Sequence, residues 1–212
     1  MSTQSASQSA VRFEATPNPQ TFRFSVESKD STGEIVLTDR PVEFKSATEA
    51  QFSPLAKKLF GFPWAAGVYI GRDFITVTKQ DWVDWDIIAE PLAGLIEEHL
   101  ESGAPILTPP PAASASNGTN NGAKAQSGDS NQPQADDTDA VRLIKTVLNN
   151  EIRPMVAQDG GDITFAKYEN GVVYIHMQGS CAGCPSSTMT LKMGIEVRLK
   201  EALPEIVEVV AV

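Results

Sequence analysis

The chain has only two cysteines, Cys181 and Cys184, which lie two residues apart in the stretch QGSCAGCPSSTMTLKMGIE. Thiols at this spacing can form a redox disulfide, supply two ligands to a metal, or simply pack. Cys184 directly precedes Pro185, and proline is favoured at the first position of a helix. This predicts Cys184 as the N-cap and Cys181 in the loop before it. Because a helix N-terminus stabilises anions, we expect both sulfurs to be shifted toward thiolate.

Three chemistries compete with a purely structural pair. A dithiol–disulfide oxidoreductase would use Cys181 as the attacking thiolate, although such motifs usually accompany a β-α-β pattern. A structural zinc site needs four ligands. Of the two histidines, His176 alternates on a predicted strand and His99 is remote in sequence. A zinc site within one chain is therefore short of ligands, and a structural zinc ion would have to bridge two chains. An iron–sulfur cluster is commonly held by four cysteines, and a twofold homodimer would supply two from each subunit. All these alternatives stay open at this point.

The elements around the motif predict a small domain. Asn170-Gly171 within DITFAKYENGVVYIHMQG indicates a β-hairpin, and EIVEVVAV indicates a final strand. Two helices are predicted, the first ending at Pro154 and the second at Pro204. Their apolar stripes are Val141, Ile144, Val147, Leu148 and Ile152, and then Leu191, Ile195, Leu199 and Ala202. The order α-β-β-α-β predicts two helices against a three-stranded sheet.

The N-terminal part mixes strands and helices. Residues 21–27 alternate as a half-buried strand, and Gly71-Arg72-Asp73 joins residues 68–70 and 74–78 as a hairpin. Ser53 is a predicted N-cap followed by Pro54, for a helix that ends at Gly61. A longer helix either begins or kinks at Pro91. Its apolar residues are Ile88, Leu92, Leu95, Ile96 and His99.

The region between these parts resembles a linker. From Thr108 to Asp137 there is no Val, Ile, Leu, Met or aromatic residue, so the segment cannot offset its ordering entropy by burial. A coil of this kind separates its ends by about 30 Å, and we expect the flanking domains to move independently. The sequence therefore predicts an α+β protein of two small mixed domains joined by a disordered linker. The predicted segments are a disordered tail (1–10), an N-terminal domain (11–103), the linker (104–137) and a C-terminal domain (138–212).

Composition limits the partners and the location. The net charge is −10 and the pI is near 4.7, which argues against nucleic acid as a partner. No run approaches the roughly 18 apolar residues of a membrane helix, so no membrane partner is expected. Two neighbouring cysteines do not make a disulfide framework, and the first ten residues lack the apolar core of a secretory signal. We therefore expect a cytoplasmic location.

Several stretches resemble a known family. IRPMVAQDGGDITF, GSCAGCPSSTMTLKMGIE and LKEALPEIVEV closely resemble the NifU-like C-terminal domain of Nfu-type iron–sulfur proteins. TPNPQTFRF, SPLAKKLFG and GRDFITVTK resemble the N-terminal domain that accompanies it. The resemblance implies a scaffold or carrier, not an enzyme. In such a protein Cys181 and Cys184 of two subunits bind one [4Fe–4S] cluster, which passes from an upstream scaffold to apo iron–sulfur proteins. The run 159–162 (DGGD) belongs to the same pattern, and we interpret it as a turn entering the first strand.

The remaining polar and aromatic candidates are weaker. Ser186, Ser187 and Thr188 fit the first turn of a helix better than a role as nucleophiles, and no catalytic residue is predicted. The N-terminal domain has no cysteine, so we expect it to recognise cluster donors or recipients. Tryptophan is enriched at binding hot spots, which makes the three tryptophans candidate contacts, although core or ordinary surface is the simpler interpretation: Trp64, Trp82 and Trp85.

Overall fold

The computed structural model describes residues 9–28, 35–108, 131–182 and 185–212, and within these ranges the chain forms two sheets. The first is an antiparallel sheet of five strands in the order β1-β2-β5-β4-β3. The strands are β1 (Ser9–Ala15), β2 (Thr21–Ser28), β3 (Val42–Phe44), β4 (Ala65–Ile70) and β5 (Phe74–Lys79). Two helices accompany them, α1 (Pro54–Leu59) and α2 (Trp85–Glu101), with a short 3-10 turn at Glu49–Phe52.

The second sheet has three strands in the order β6-β7-β8, with β6 and β7 antiparallel and β7 and β8 parallel. Its elements are α3 (Asp139–Val147), a π-helical turn (Leu148–Ile152), α4 (Arg153–Gln158), β6 (Gly161–Glu169), β7 (Val172–Gly179), α5 (Pro185–Ala202) and β8 (Glu208–Ala211). The α+β fold with two small mixed domains is therefore confirmed, including the three-stranded C-terminal sheet.

Local capping and turn signals position most of these elements. The Ser53 side chain accepts a hydrogen bond from the Ala56 N–H at 3.0 Å, and α1 begins at Pro54. Asn170 and Gly171 both have positive φ, 52° and 78°, as a tight hairpin turn requires. Helix α2 does not begin at Pro91, because it runs from Trp85 to Glu101 with the proline inside it on an exposed position.

The predicted end of the first C-terminal helix at Pro154 is wrong. The helical path continues to Gln158, because the π-helical turn Leu148–Ile152 widens the chain just before the proline. Pro154 then lies in the first turn of α4, where its missing N–H and its ring are tolerated.

Each domain has its own apolar core. Phe24, Leu55, Ile75 and Ile96 are fully buried in the first, and Ile144, Ile163, Ile175 and Ile195 are buried in the second. The predicted linker and tail lie mostly on residues 109–130 and 1–8, outside the described residues. The tail boundary at residue 10 is wrong, because Ser9 and Ala10 belong to β1. The described ends of the linker pack on the domains that they adjoin. Ile106 packs against the N-terminal core, and the Asn131 side chain donates to the Ile163 carbonyl of the C-terminal domain at 2.8 Å. In the part of the chain that is described, none of the helices combines the length and apolar character needed to cross a bilayer.

Candidate metal centre

Cys181 lies in the turn that connects the end of β7 to the start of α5. Gly179 closes β7 with a φ of 62°, and α5 begins at Pro185, as the sequence predicts. Ser186, Ser187 and Thr188 accordingly fall in the first helical turn. Cys184 lies outside the described residues, so its place at the N-cap stays a prediction.

A glycine on the neighbouring strand makes room for the Cys181 sulfur. Gly161, the first residue of β6, pairs with Gly179 across the hairpin. A Cβ atom on Gly161 would stand 2.2 Å from Cys181 Sγ, a distance that no side chain tolerates. Gly160 precedes it with a φ of 76°, which favours glycine. The interpretation of residues 159–162 as a turn into the first strand holds, and the same run also clears space for the thiol.

The Cys181 side chain points into the C-terminal core and is only 5% exposed. Burial is the main reason that its pKa rises to about 12; a hydrogen bond with the Ser180 side chain opposes the rise, and the charges of Asp159 and Asp162 add to it. The prediction of a thiolate-shifted Cys181 is therefore wrong in this conformation, because burial of the sulfur disfavours its charged form. A buried neutral thiol is also a poor attacking nucleophile, which disfavours the dithiol oxidoreductase.

Asp162 anchors the strand beside the cysteine. Its carboxylate takes a bidentate pair from Arg153, with Nε and Nη2 at 2.8 and 2.9 Å, and its Oδ1 accepts the Ile163 N–H at 2.8 Å. The Tyr69 hydroxyl of β4 donates to the same carboxylate at 3.0 Å. Burial, followed by the Asp162 charge, raises the pKa of Tyr69 above its usual range, so the hydroxyl keeps its proton and remains a donor.

The N-terminal domain reaches the cysteine turn itself. Asn18 Nδ2 donates to the carbonyl of Ser180 at 3.3 Å and to that of Ala182 at 3.1 Å, one on each side of Cys181. A Glu43 oxygen accepts the Gly179 N–H at 3.0 Å. These contacts were not foreseen from the sequence. The segment TPNPQ holds an asparagine between two prolines, and this was the signal available for Asn18.

The other candidate residues do not assemble around the thiol. His176 is an exposed residue of β7 whose Nδ1 lies 3.0 Å from the Val212 carbonyl, which confirms it as a sheet residue. His99 is buried within the N-terminal domain. Among the residues with described positions, no three His, Cys, Asp or Glu side chains converge as a metal site would require. Of the tryptophans, Trp64 and Trp85 belong to the N-terminal core and Trp82 is exposed.

The fold and the site define a class: a two-domain α+β protein whose C-x-x-C motif lies in sequence between a β-hairpin and a helix. Two family models match the chain. The model described as "Scaffold protein Nfu/NifU N terminal" matches residues 11–103, and the model described as "NifU-like domain" matches residues 144–210. The chain therefore belongs to the Nfu-type family of NifU-like proteins.

Curated relatives agree with this assignment. The chain is 37% identical over 196 residues to the "NFU1 iron-sulfur cluster scaffold homolog, mitochondrial" of Drosophila sechellia and to the protein of the same name from Drosophila simulans. Each alignment covers 92% of this chain and 62% of the relative, so the chain spans less than two thirds of their length. A NifU-like protein from Saccharomyces cerevisiae, solved by NMR, is 25% identical, with a TM-score of 0.41 over 50% of this chain and 89% of its own.

The relatives overturn one expectation. Both Drosophila proteins are named as mitochondrial, so the prediction of a cytoplasmic location is wrong. The composition argument failed because a low cysteine count suits any reducing compartment equally well.

Proposed function

We propose that this protein is a carrier of [4Fe–4S] clusters that acts as a homodimer, with Cys181 and Cys184 of both subunits as the cluster ligands. The observation that carries the proposal is the C-x-x-C motif in a NifU-like domain, in a chain with no other cysteine. One subunit supplies two of the four thiolates that such a cluster commonly requires. Twofold symmetry supplies the other two.

Loading the cluster requires a change at Cys181. The thiol is buried and its pKa is about 12, so it must leave the core and give up its proton as iron binds, because metals bind the thiolate form. Recipient thiolates would then replace Cys181 and Cys184 one at a time. The upstream scaffold is the donor, and apo iron–sulfur proteins are the recipients. In this proposal the chain is a carrier with no catalytic residue.

An exposed apolar stripe on α5 supports the homodimer. Met189, Met193 and Val197 are 67, 64 and 56% exposed, and they lie at positions i, i+4 and i+8 on one side of the helix. The stripe starts four residues after Pro185, close to the cysteine turn. A second copy presents the same stripe beside its own cysteines, so twofold pairing around a shared cluster would cover both. We propose the second copy as the occupant of this surface.

Anaerobic reconstitution tests the proposal directly. The protein should turn brown and should bind about four iron and four sulfide ions per dimer, as all-cysteine ligation of a cubane cluster requires. Two other outcomes would contradict it. Colourless protein with a reversible disulfide would indicate the oxidoreductase, and colourless protein with about half a zinc ion per chain would indicate a zinc-bridged dimer.

The ligand assignment predicts that Cys181→Ser and Cys184→Ser each abolish stable cluster binding, measured as iron and sulfide per chain. Because Cys181 packs in the core, its serine variant places a hydroxyl there and should lose about 1–3 kcal/mol of unfolding free energy. Cys181→Ala also removes the ligand but buries no polar group, so it is the companion variant without the buried hydroxyl. Ser186→Ala is the control and should keep the cluster. A full cluster in either cysteine variant would refute the ligand set.

A further inference from the structure

Three side chains on the outer face of the N-terminal sheet line up against the C-terminal domain. Glu43 pairs with Tyr69 across β3 and β4, and Tyr69 pairs with Thr76 across β4 and β5. Successive residues of a strand face opposite sides, so these three lie on the face away from the core, which holds their neighbours Phe44, Val68, Ile70, Ile75 and Val77. We call Glu43, Tyr69 and Thr76 the docking row.

The docking row binds the two backbone segments that enclose Cys181. Thr76 donates its hydroxyl to the Gly160 carbonyl, Tyr69 donates to Asp162, and Glu43 accepts from the Gly179 N–H. Glycines allow this close approach. A Cβ on Gly160 would lie 2.8 Å from Thr76 Oγ1, and a Cβ on Gly179 would lie 3.3 Å from a ring carbon of Tyr69.

Asn18 completes the contact at the turn itself. It is 4% exposed, and its amide nitrogen donates to the carbonyls of Ser180 and Ala182. Its Oδ1 accepts the Gln20 N–H at 3.0 Å, so the side chain has a partner for both donors and for its acceptor. The segment around it is held to α2, because the Trp85 indole donates to the Pro19 carbonyl at 3.1 Å.

We propose that the N-terminal domain is the docking partner of the cysteine turn of its own chain, and that Asn18 is the positioning residue through which docking keeps Cys181 turned inward. To reach the surface, Sγ has to leave its place beside Gly161. Docking opposes this movement because Asn18 fixes the carbonyl on each side of Cys181. Undocking releases both carbonyls, together with the Gly179 N–H.

Covalent connection makes a small contact sufficient. Two domains on one chain meet at an effective concentration on the order of millimolar, so a few hydrogen bonds can hold the docked state. The consequence for cluster loading rests on the proposed function, because an inward thiol cannot bind iron. Thiol access itself does not depend on that function.

Alkylation of Cys181 in the full-length apo-protein tests the proposal, in a Cys184→Ser background where Cys181 is the only thiol. Asn18→Asp keeps the acceptor for Gln20 but places a carboxylate oxygen against two carbonyls. Loss of about one net hydrogen bond shifts an opening equilibrium by about fivefold, and alkylation by iodoacetamide should accelerate by at least that factor when opening is fast. Asn170→Asp is the control. It adds the same charge at the far end of the hairpin and should leave the rate unchanged.

Tyr69→Phe provides a second arm that retains the aromatic ring and removes only the hydroxyl bond to Asp162. It should also accelerate alkylation of Cys181. If tryptophan fluorescence shows that Asn18→Asp disturbs the N-terminal fold, the rate in Tyr69→Phe is the test of the proposal. The proposal is overturned if the folded variants react no faster than Asn170→Asp. The assay contains no iron, so its failure would leave the cluster proposal intact, and a failed reconstitution would leave the alkylation result intact.

Discussion

At the scale of single residues, the site depends on one close contact between a glycine and a sulfur. Gly161 stands where any side chain would meet Cys181 Sγ. Asp162, the next residue, ties the same strand to Arg153 and Tyr69. The family pattern of residues 159–162 therefore holds both the space for the inward thiol and the anchor of the strand beside it.

Gly161→Ala should expel the thiol from the core. Its Cβ would lie 2.2 Å from Sγ, so we expect a loss of about 1–3 kcal/mol in unfolding free energy from overpacking, together with faster alkylation of Cys181. Gly194→Ala is the matched control. Nothing lies within 4 Å of its Cβ, and it is an exposed position of α5. That variant should gain up to about 1 kcal/mol from helix propensity. Equal stability of the two variants would contradict the steric argument.

The sequence is informative about the motif and less so about the state of its sulfur. Placement of Cys181 before a helix followed from the proline after Cys184, because proline at a helix start is a local rule. Burial of the thiol was not predictable, since it depends on Gly161, which is 20 residues earlier in the chain and becomes a neighbour only through the β6–β7 pairing. The state of Cys184 stays a prediction.

At the scale of elements, the sequence predicted the turns and helix caps that depend on a few neighbouring residues. The Asn170-Gly171 turn and the Ser53 cap appear as expected. Strand β1 was missed although Val11, Phe13 and Ala15 alternate, and β3, with three residues, is too short for any periodicity to show. The continuation past Pro154 was missed because the π-helical turn that permits it has no clear sequence signature.

Helix α2 gives the N-terminal domain a predicted pH dependence. His99 is fully buried and neither ring nitrogen has a hydrogen-bond partner. Burial, followed by the Lys58 charge, lowers its pKa; the Pro105 backbone opposes this without reaching hydrogen-bond geometry. Below its ordinary pKa of 6.5, the unfolded chain binds the proton more readily than the folded one. Stability should therefore fall as the pH drops from 6.5 toward the folded-state pKa, and should level off below it.

Tryptophan fluorescence measures this effect in one domain, because all three tryptophans lie in the N-terminal part. His99→Leu should flatten the decline and should gain about 1 kcal/mol at neutral pH by removing unpaired buried nitrogens. His176→Gln, on the exposed face of β7, should leave the pH profile unchanged. An unaltered profile in His99→Leu would show that another group causes the decline.

At the scale of the whole molecule, the two domains are in contact, whereas the tether alone suggested independent movement. The contact involves side chains of the N-terminal domain and the turn that carries Cys181. Composition identifies a linker but contains no information about whether the folded domains match each other. That match depends on the docking row, whose members come from three separate strands.

The proposed homodimer predicts an effect of charge on α5. Met193→Glu places a carboxylate in the middle of the apolar stripe, and burying it unpaired should weaken the cluster-loaded dimer at least about tenfold. Anaerobic sedimentation measures the change. Ile87→Glu is the control, because Ile87 is equally exposed at 68% but lies on α2 of the other domain. Unchanged dimerisation of Met193→Glu would exclude the stripe from the subunit contact.

The docking contact is asymmetric in its chemistry. Apart from the Asp162 carboxylate, the hydrogen bonds described above from the docking row and Asn18 end on peptide atoms of the C-terminal domain: the carbonyls of Gly160, Ser180 and Ala182 and the N–H of Gly179. Peptide atoms are shared by every amino acid, so drift of the surrounding side chains leaves this half of the contact unaltered. In a chimera of this N-terminal domain and the NifU-like domain of a distant relative, the two domains should therefore still dock, provided that the glycines are retained.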